Sequence, residues 1–208
     1  MEHELQEIVA VVNNKGGVGK TTTVQSIAAG LVRKNHNLRV LVVDLDPQCN
    51  LSSLMGMKKE GLSTIYEAMC KQSGLPIYKC KNGVYAVPGS GQMENIEQHL
   101  PGGPSLREQM KSYTVLLSCL QDNNCIDMTG EGLKNIFDDF DYVIIDCPPA
   151  LSKNTYNALV AASKVLIPVQ MEALSVKGVD EIFSVMEEVK EFHMNDNLEM
   201  MGLLPVMV

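Results

Sequence analysis

The chain has 208 residues, 45% of them hydrophobic and 20% charged, proportions that exclude wholesale disorder. With 25 acidic against 17 basic residues the net charge is −8, which excludes a protein that coats nucleic acid with its whole surface while leaving room for a local basic patch. No apolar run reaches the roughly 18 residues of a membrane span, and the polar start MEHELQE is neither a signal nor a transit peptide, so a cytoplasmic protein is expected.

IVAVV (8–12) is a short, β-branched apolar run and reads as a buried strand. A glycine-rich loop follows it. Val24, Ile27, Ala28 and Leu31 then recur at the spacing of a helix lying on a sheet. RVLVV (39–43) is a second buried strand, ending at Asp44, Asp46 and Pro47. Continuous apolar runs of this kind suit strands covered on both faces, hence an α/β fold with a mostly parallel sheet between helix layers. In the middle, TIYEAMC (64–70) reads as helix, VYAVP (84–88) as strand and LREQMKSYTVLLSCLQ (106–121) as one long helix after the PGGP break at 101–104. The polar segment 122–132 reads as a loop. YVIID (142–146) is a strand, NTYNALVAA (154–162) a helix and KVLIPV (164–169) a strand. Val179, Ile182, Met186 and Val189 mark the apolar face of another helix, with Glu181, Glu187, Glu188 and Glu191 on its polar side. MGLLPVMV closes the chain as a strand, with Met200 and Met201 as core filler. A strand at the very end leaves nothing to cover it, so a single domain over 1–208 with a further natural C-terminal segment is expected.

Six cysteines, at 49, 70, 80, 119, 125 and 147, include no C-x-x-C pair and read as reduced, mostly buried thiols. The histidines at 3, 36, 99 and 193 have no metal-ligand spacing, and the basic clusters RKNHNLR (33–39) and Lys58–Lys59 read as solvated helix ends.

NNKGGVGKTTT (13–23) sits between a buried strand and an amphipathic helix, where a phosphate-binding loop belongs. Glycines at 16, 17 and 19 let backbone amides turn toward an anion, and the helix N-terminus adds partial positive charge. Lys20 can reach the β and γ phosphates and the Thr21 hydroxyl can face Mg²⁺. A standard loop has glycine where Asn14 stands; this one carries a second lysine, Lys15, instead.

K-G-G-V-G-K-T-T resembles the deviant Walker A loop of the ParA/MinD family of P-loop ATPases, most closely its chromosome- and plasmid-partitioning branch. The resemblance implies the three-layer P-loop NTPase fold, with ATP held by Lys15, Gly16, Gly17, Val18, Gly19, Lys20, Thr21 and Thr22. It further implies that Lys15 crosses a dimer interface to the partner's nucleotide. LVVDLDPQ (41–48) is similar to the family's switch I, so Asp46 would orient the attacking water and Asp44 would assist through Mg²⁺-bound water. YVIIDCPP (142–149) resembles its Walker B and switch II, placing Asp146 with Thr21 and Asp46 around Mg²⁺. Cys147 lacks the accompanying pattern of the nitrogenase iron protein and reads as a buried thiol. KVLIPVQME (164–172) is also similar, and Glu172 would lie near the dimer interface and the partner's nucleotide. The match is poor between about 56 and 135. The expected function is a Mg·ATP-dependent dimerising switch for DNA segregation. Its expected partners are a second copy, a ParB-like protein and non-specific DNA, with nucleoid association in the ATP state and no membrane role. A MinD-like membrane- or cargo-positioning ATPase is the alternative, and a small-molecule synthetase similar to dethiobiotin synthetase is a third reading.

Overall fold

The computed structural model describes residues 5–57, 61–122, 125–170 and 176–206. The elements begin β1 (Glu7–Val11), α1 (Lys20–Lys34), β2 (Val40–Asp44), α2 (Asn50–Leu54), α3 (Ile65–Lys71), β3 (Pro76–Lys79) and β4 (Tyr85–Val87). A 3-10 segment (Gly91–Gln98) leads to α4 (Leu106–Lys111), α5 (Val115–Gln121), β5 (Ile126–Asp127) and α6 (Ile136–Asp139). The last elements are β6 (Tyr142–Asp146), α7 (Lys153–Ala161), β7 (Lys164–Gln170), α8 (Val176–Glu191) and β8 (Glu199–Val206).

Successive side chains of each central strand enter opposite cores, as the twofold period of a strand requires. Ile8 and Ala10 of β1, Leu41 and Val43 of β2, and Val143 and Ile145 of β6 pack with α3, α5, α7 and α8. Val9 and Val11, Val40 and Val42, and Ile144 pack instead against Val24, Ala28 and Val32 of α1. Every residue of β2 is buried, which is why these strands read as unbroken apolar runs. Each fully buried leucine or valine among them contributes about 1.5–3 kcal/mol.

Among the described residues the sheet has eight strands in the order β5-β3-β4-β2-β6-β1-β7-β8. All neighbouring pairs are parallel except β3 with β4. β1 lies between β6 and β7, so the chain leaving it emerges at the carboxyl edge in the middle of the sheet, where open α/β sheets bind ligands.

Four expectations are corrected. The helix expected over 106–121 is broken into α4 and α5. The cause is Asn157 of α7, a fully buried side chain. Its Nδ2 donates to the Ser112 carbonyl at 2.8 Å and its Oδ1 accepts from the Leu116 amide at 3.0 Å. Those two backbone groups would bond each other in a continuous helix, so the amide has inserted itself into the ladder. The loop expected over 122–132 contains β5, and the turn that follows it is held by Asp127. One oxygen of that carboxylate accepts from Thr129 N and Oγ1, the other from Gly132 N and Leu133 N. Met201 is not core filler but 48% exposed. It is the extra residue of a bulge, since Val165 pairs with Met200 and Leu166 with Gly202. Finally β3, α2, α6 and the 3-10 segment are additional elements. Lys58, Lys59 and Glu172 lie outside the described residues.

Asn157→Leu keeps the volume but strands a buried carbonyl and a buried amide. We expect it to destabilise the fold by roughly 2–4 kcal/mol, read as a lower urea midpoint. A loss below about 0.5 kcal/mol would mean that the two helices close into one without cost.

Candidate functional site

The loop after β1 is held from both sides before it reaches the glycines. Asn13, 7% exposed, donates through Nδ2 to the Pro168 carbonyl of β7 at 2.7 Å and accepts from the Lys15 amide at 2.8 Å. Asn14 donates to the Glu181 carboxylate on α8. Where α8 crosses, a Cβ on Gly178 would stand 2.8 Å from Asn14 Oδ1, so a side chain there would displace the Asn14 amide. Gly17 and Gly19 take φ of 76° and 77°, left-handed values that let the chain turn its amides outward before α1 begins. Val18 is buried and anchors the loop, whereas Lys15, Gly16, Gly17 and Thr22 are exposed.

Lys20 opens α1 and is only 6% exposed. Its Nζ donates to the Lys15 carbonyl at 3.1 Å. Burial pulls its ammonium below the usual lysine range, opposed chiefly by the negative charge of Asp146. Lys15 is the other case: its carbonyl is turned inward to Lys20 while the residue is exposed, and it has no ion pair to any other described residue.

Three aspartates end β2 and β6 in distinct roles. Asp44 is spent on structure. One of its oxygens accepts from the Asp46 amide at 3.2 Å, the other from Ser52 N at 2.8 Å and Ser52 Oγ at 2.6 Å. Ser52 Oγ in turn accepts from the Gly89 amide at 2.8 Å, and a Cβ on Gly89 would sit 2.9 Å from Asp44 Cγ. Burial pushes the Asp44 carboxyl up to about 6 despite these bonds. Asp46, 7% exposed, accepts from the Gln48 amide at 2.9 Å. Asp146 is fully buried with neither carboxylate oxygen hydrogen-bonded. Burial, then the charge of Asp44, pushes its carboxyl up to about 7. The Thr21 hydroxyl faces it without reaching bonding geometry and acts in the opposite sense, as does the charge of Lys20.

Gly16, Gly17, Gly19, Lys20, Thr21, Thr22 and Asp46 line one open cleft of about 580 Å³, together with Gln48, with Asn50 and Ser53 of α2, and with Pro149. That volume is in the range of small-molecule sites. The cleft joins the expected loop residues to Asp46, and Lys20 and Thr21, which line it, both act on the buried Asp146 carboxyl.

A family model described as an AAA domain matches residues 6–200. The chromosome partitioning protein ParA of Myxococcus xanthus is 34% identical over 206 residues, covering 96% of this chain and 64% of that one. The chromosome-partitioning ATPase Soj of Thermus thermophilus is 34% identical over 199 residues, covering 96% and 68%. This chain belongs to the AAA-domain family, among its ParA/Soj members. It spans 64% and 68% of those two relatives' lengths. A crystal structure of cobyrinic acid a,c-diamide synthase from Mycobacterium smegmatis with bound ADP and magnesium superposes with a TM-score of 0.79. It is 33% identical, over 97% of this chain and 74% of that one.

In this ParA/Soj-family site the residues fit a divalent cation. A buried carboxylate with both oxygens free, beside a threonine hydroxyl, is an arrangement that costs free energy unless a cation or donor meets it. Among the described residues no three His, Cys, Asp or Glu side chains cluster as a complete metal cage. Mg²⁺ does not need one, because it typically uses one or two carboxylates, substrate phosphates and water. Cys147 beside the site is fully buried, and burial drives its thiol far above the usual range, so it is inert packing. Three contributors were not legible beforehand: Asn13, the Asn14–Glu181–Gly178 contact and the Ser52–Gly89 bridge. Their partners lie 155, 167 and 37 residues away, and no local spacing announces them.

Because the folded chain raises the Asp146 carboxyl from 3.8 to about 7, it holds a proton that the unfolded chain gives up. Stability of the metal-free chain therefore falls as pH rises from about 4 to about 7, by up to roughly 4 kcal/mol. We expect Asp146→Asn to raise the metal-free Tm at pH 8 much more than at pH 4.5. Equal shifts at both pH values would show that the carboxyl is not strained by burial.

Proposed function

We propose that this chain is a ParA-type ATPase that hydrolyses ATP and uses the nucleotide to control pairing with a second copy. The exposed position of Lys15, its own carbonyl turned inward to Lys20, carries the reading. An exposed lysine at the loop's entrance, outside the set of residues that line the cleft, would be presented to a copy docking there. A cation reaching the transferring phosphoryl group from outside contributes about 10³–10⁵ in rate in comparable enzymes, or roughly 4–7 kcal/mol of barrier.

The loop amides between Gly16 and Thr22 and the Lys20 ammonium would bind the triphosphate. Asp146 and Thr21 would hold Mg²⁺, with Asp46 at its edge; when bound, the ion neutralises phosphate charge. Asp46, at the cleft wall and fixed by the Gln48 amide, would orient the attacking water and take its proton. Asp44 would act by holding Asp46 and α2 in place, since its oxygens are given to Ser52 and the Asp46 amide. Glu172 would meet the partner's nucleotide. The relatives named for chromosome partitioning support a role in DNA segregation, with a ParB-like protein stimulating turnover and non-specific DNA bound in the ATP-loaded dimer, which would bring the chain to the nucleoid from the cytoplasm. Among the described residues no helix is long and apolar enough to cross a membrane.

The likeness to the cobyrinic acid a,c-diamide synthase structure gives the synthetase reading a specific footing. The two readings part on what accelerates ADP release: DNA and a protein partner for the switch, a carboxylic acid and an amine donor for the synthetase.

Size-exclusion chromatography with light scattering, with and without Mg·ATP, tests the switch. Wild type should dimerise on ATP, Asp46→Ala should be trapped as a dimer and Lys20→Ala should stay monomeric. Lys15→Ala should bind ATP yet lose about 10³ in turnover. A mass indifferent to nucleotide in all four proteins contradicts the reading.

A further inference from the structure

Ser52 is 3% exposed and is not among the residues that line the cleft. It is nevertheless only one residue away from Asp46 along a chain of hydrogen bonds. Its hydroxyl donates to Asp44 Oδ2 at 2.6 Å, while the other oxygen of that carboxylate accepts from the Asp46 amide at 3.2 Å. Asp46 Oδ1 then accepts from the Gln48 amide at 2.9 Å. The neighbouring serine shows what a hydroxyl on α2 does when it serves only itself. Ser53 Oγ donates back to the Cys49 carbonyl at 3.0 Å, four residues earlier in its own segment. Ser52 instead reaches out of its helix in two directions.

A carboxylate turns about its last torsion with little preference of its own, so its partners decide the angle. Its two oxygens are rigidly joined. Whatever swings Asp44 Oδ2 therefore swings Oδ1 too, and with it the acceptor of the Asp46 amide. Oδ2 is held by the Ser52 hydroxyl together with the Ser52 amide at 2.8 Å. The hydroxyl has an anchor of its own, since its oxygen accepts from the Gly89 amide at 2.8 Å. Gly89 is pressed against the same carboxylate: a Cβ there would stand 2.9 Å from Asp44 Cγ. The residue before it, Pro88, accepts from the Ile65 amide at the start of α3 at 2.9 Å. One hydroxyl thus joins the end of β2, α2 and the turn after β4.

We propose that Ser52 is a positioning residue for ATP hydrolysis: acting through the Asp44 carboxylate, it sets the angle at which Asp46 faces the cleft, and it touches neither nucleotide nor metal. The kinetic consequence rests on the ATPase reading given above; the mechanical chain from Ser52 to Asp46 exists without nucleotide. The groups that would bind Mg·ATP are separate from it, since the bonds of the Ser52 side chain go to Asp44 and Gly89. Loss of the hydroxyl therefore spares binding and lowers turnover.

Two variants displace the carboxylate by different routes. Ser52→Ala deletes the hydroxyl, whereas Gly89→Ala keeps it and sets a methyl against Asp44. Amide hydrogen exchange on the nucleotide-free chain reads the mechanical chain. We expect the Asp46 amide to exchange at least about tenfold faster in both variants although its acceptor is retained, with Ile144 and Ile145 of β6 still protected as the check on folding. ATP turnover and Mg·ATP affinity read the function. A misplacement of about 1 Å can cost about 10²-fold, so kcat should fall roughly 10–100-fold while Kd stays within about threefold. A serine that only supports the fold would lower affinity and turnover together, or leave Asp46 exchange as in wild type. Asp46 exchange unchanged in both variants, or turnover within about twofold of wild type, would overturn this inference alone. No ATP turnover in the wild-type chain would overturn the ATPase reading and this inference with it.

Discussion

A lysine ammonium and an aspartate carboxylate are both taken out of water at the middle of the sheet's carboxyl edge, and the protein leaves them largely unmatched. The Lys20 ammonium has a single carbonyl acceptor and neither carboxylate oxygen of Asp146 accepts a hydrogen bond. Removing such groups from water costs several kcal/mol each even after relaxation, and the two make no direct salt bridge among the described residues to offset it. An isolated chain evolved for stability alone would replace them. Their retention beneath a loop of outward-turned amides makes sense if the missing partners arrive together, an anion for the lysine and a cation for the aspartate.

The surrounding structure keeps these two charges in place. β1 and β6 pair in register from Glu7 with Tyr142 to Val11 with Asp146, which puts the acid level with the start of the loop. β2 continues the same line, Asp44 beside Asp146. Asp44 then turns the following segment through Ser52 and binds it to the turn after β4 at Gly89. On the far side Asn13 fastens the loop to β7 and Asn14 fastens it to α8. Three separate stretches of chain therefore hold one cleft. Lys15, at the loop's entrance, is exposed and does not line the cleft.

Much of the frame was legible in the sequence because its signals are local. Buried parallel strands announce themselves as apolar runs, and the positions of Lys20, Asp46 and Asp146 follow from strand ends next to glycine or proline. What was hidden depends on long-range contact. The 106–121 segment has the composition of one helix, and only a side chain from α7 divides it. Met201 looks apolar enough for the core, yet a bulge turns it out. Asp44 and Asp46 look alike as a strand-end pair; the difference between a carboxylate spent on Ser52 and one left at the cleft wall arises from packing around Gly89. Asn14, where glycine is usual in such loops, ties the loop to α8 through Glu181.

The account rests on the claim that Lys20 and Asp146 await a triphosphate and a divalent cation together. Isothermal titration calorimetry of the chain at pH 8 with ATP, AMP and adenosine, each with and without Mg²⁺, addresses it most directly. The account requires that ATP bind at least about tenfold more tightly with Mg²⁺ than without, and that AMP and adenosine bind far more weakly and ignore the metal. Equal affinity for adenosine and ATP, or ATP binding indifferent to Mg²⁺, would contradict it.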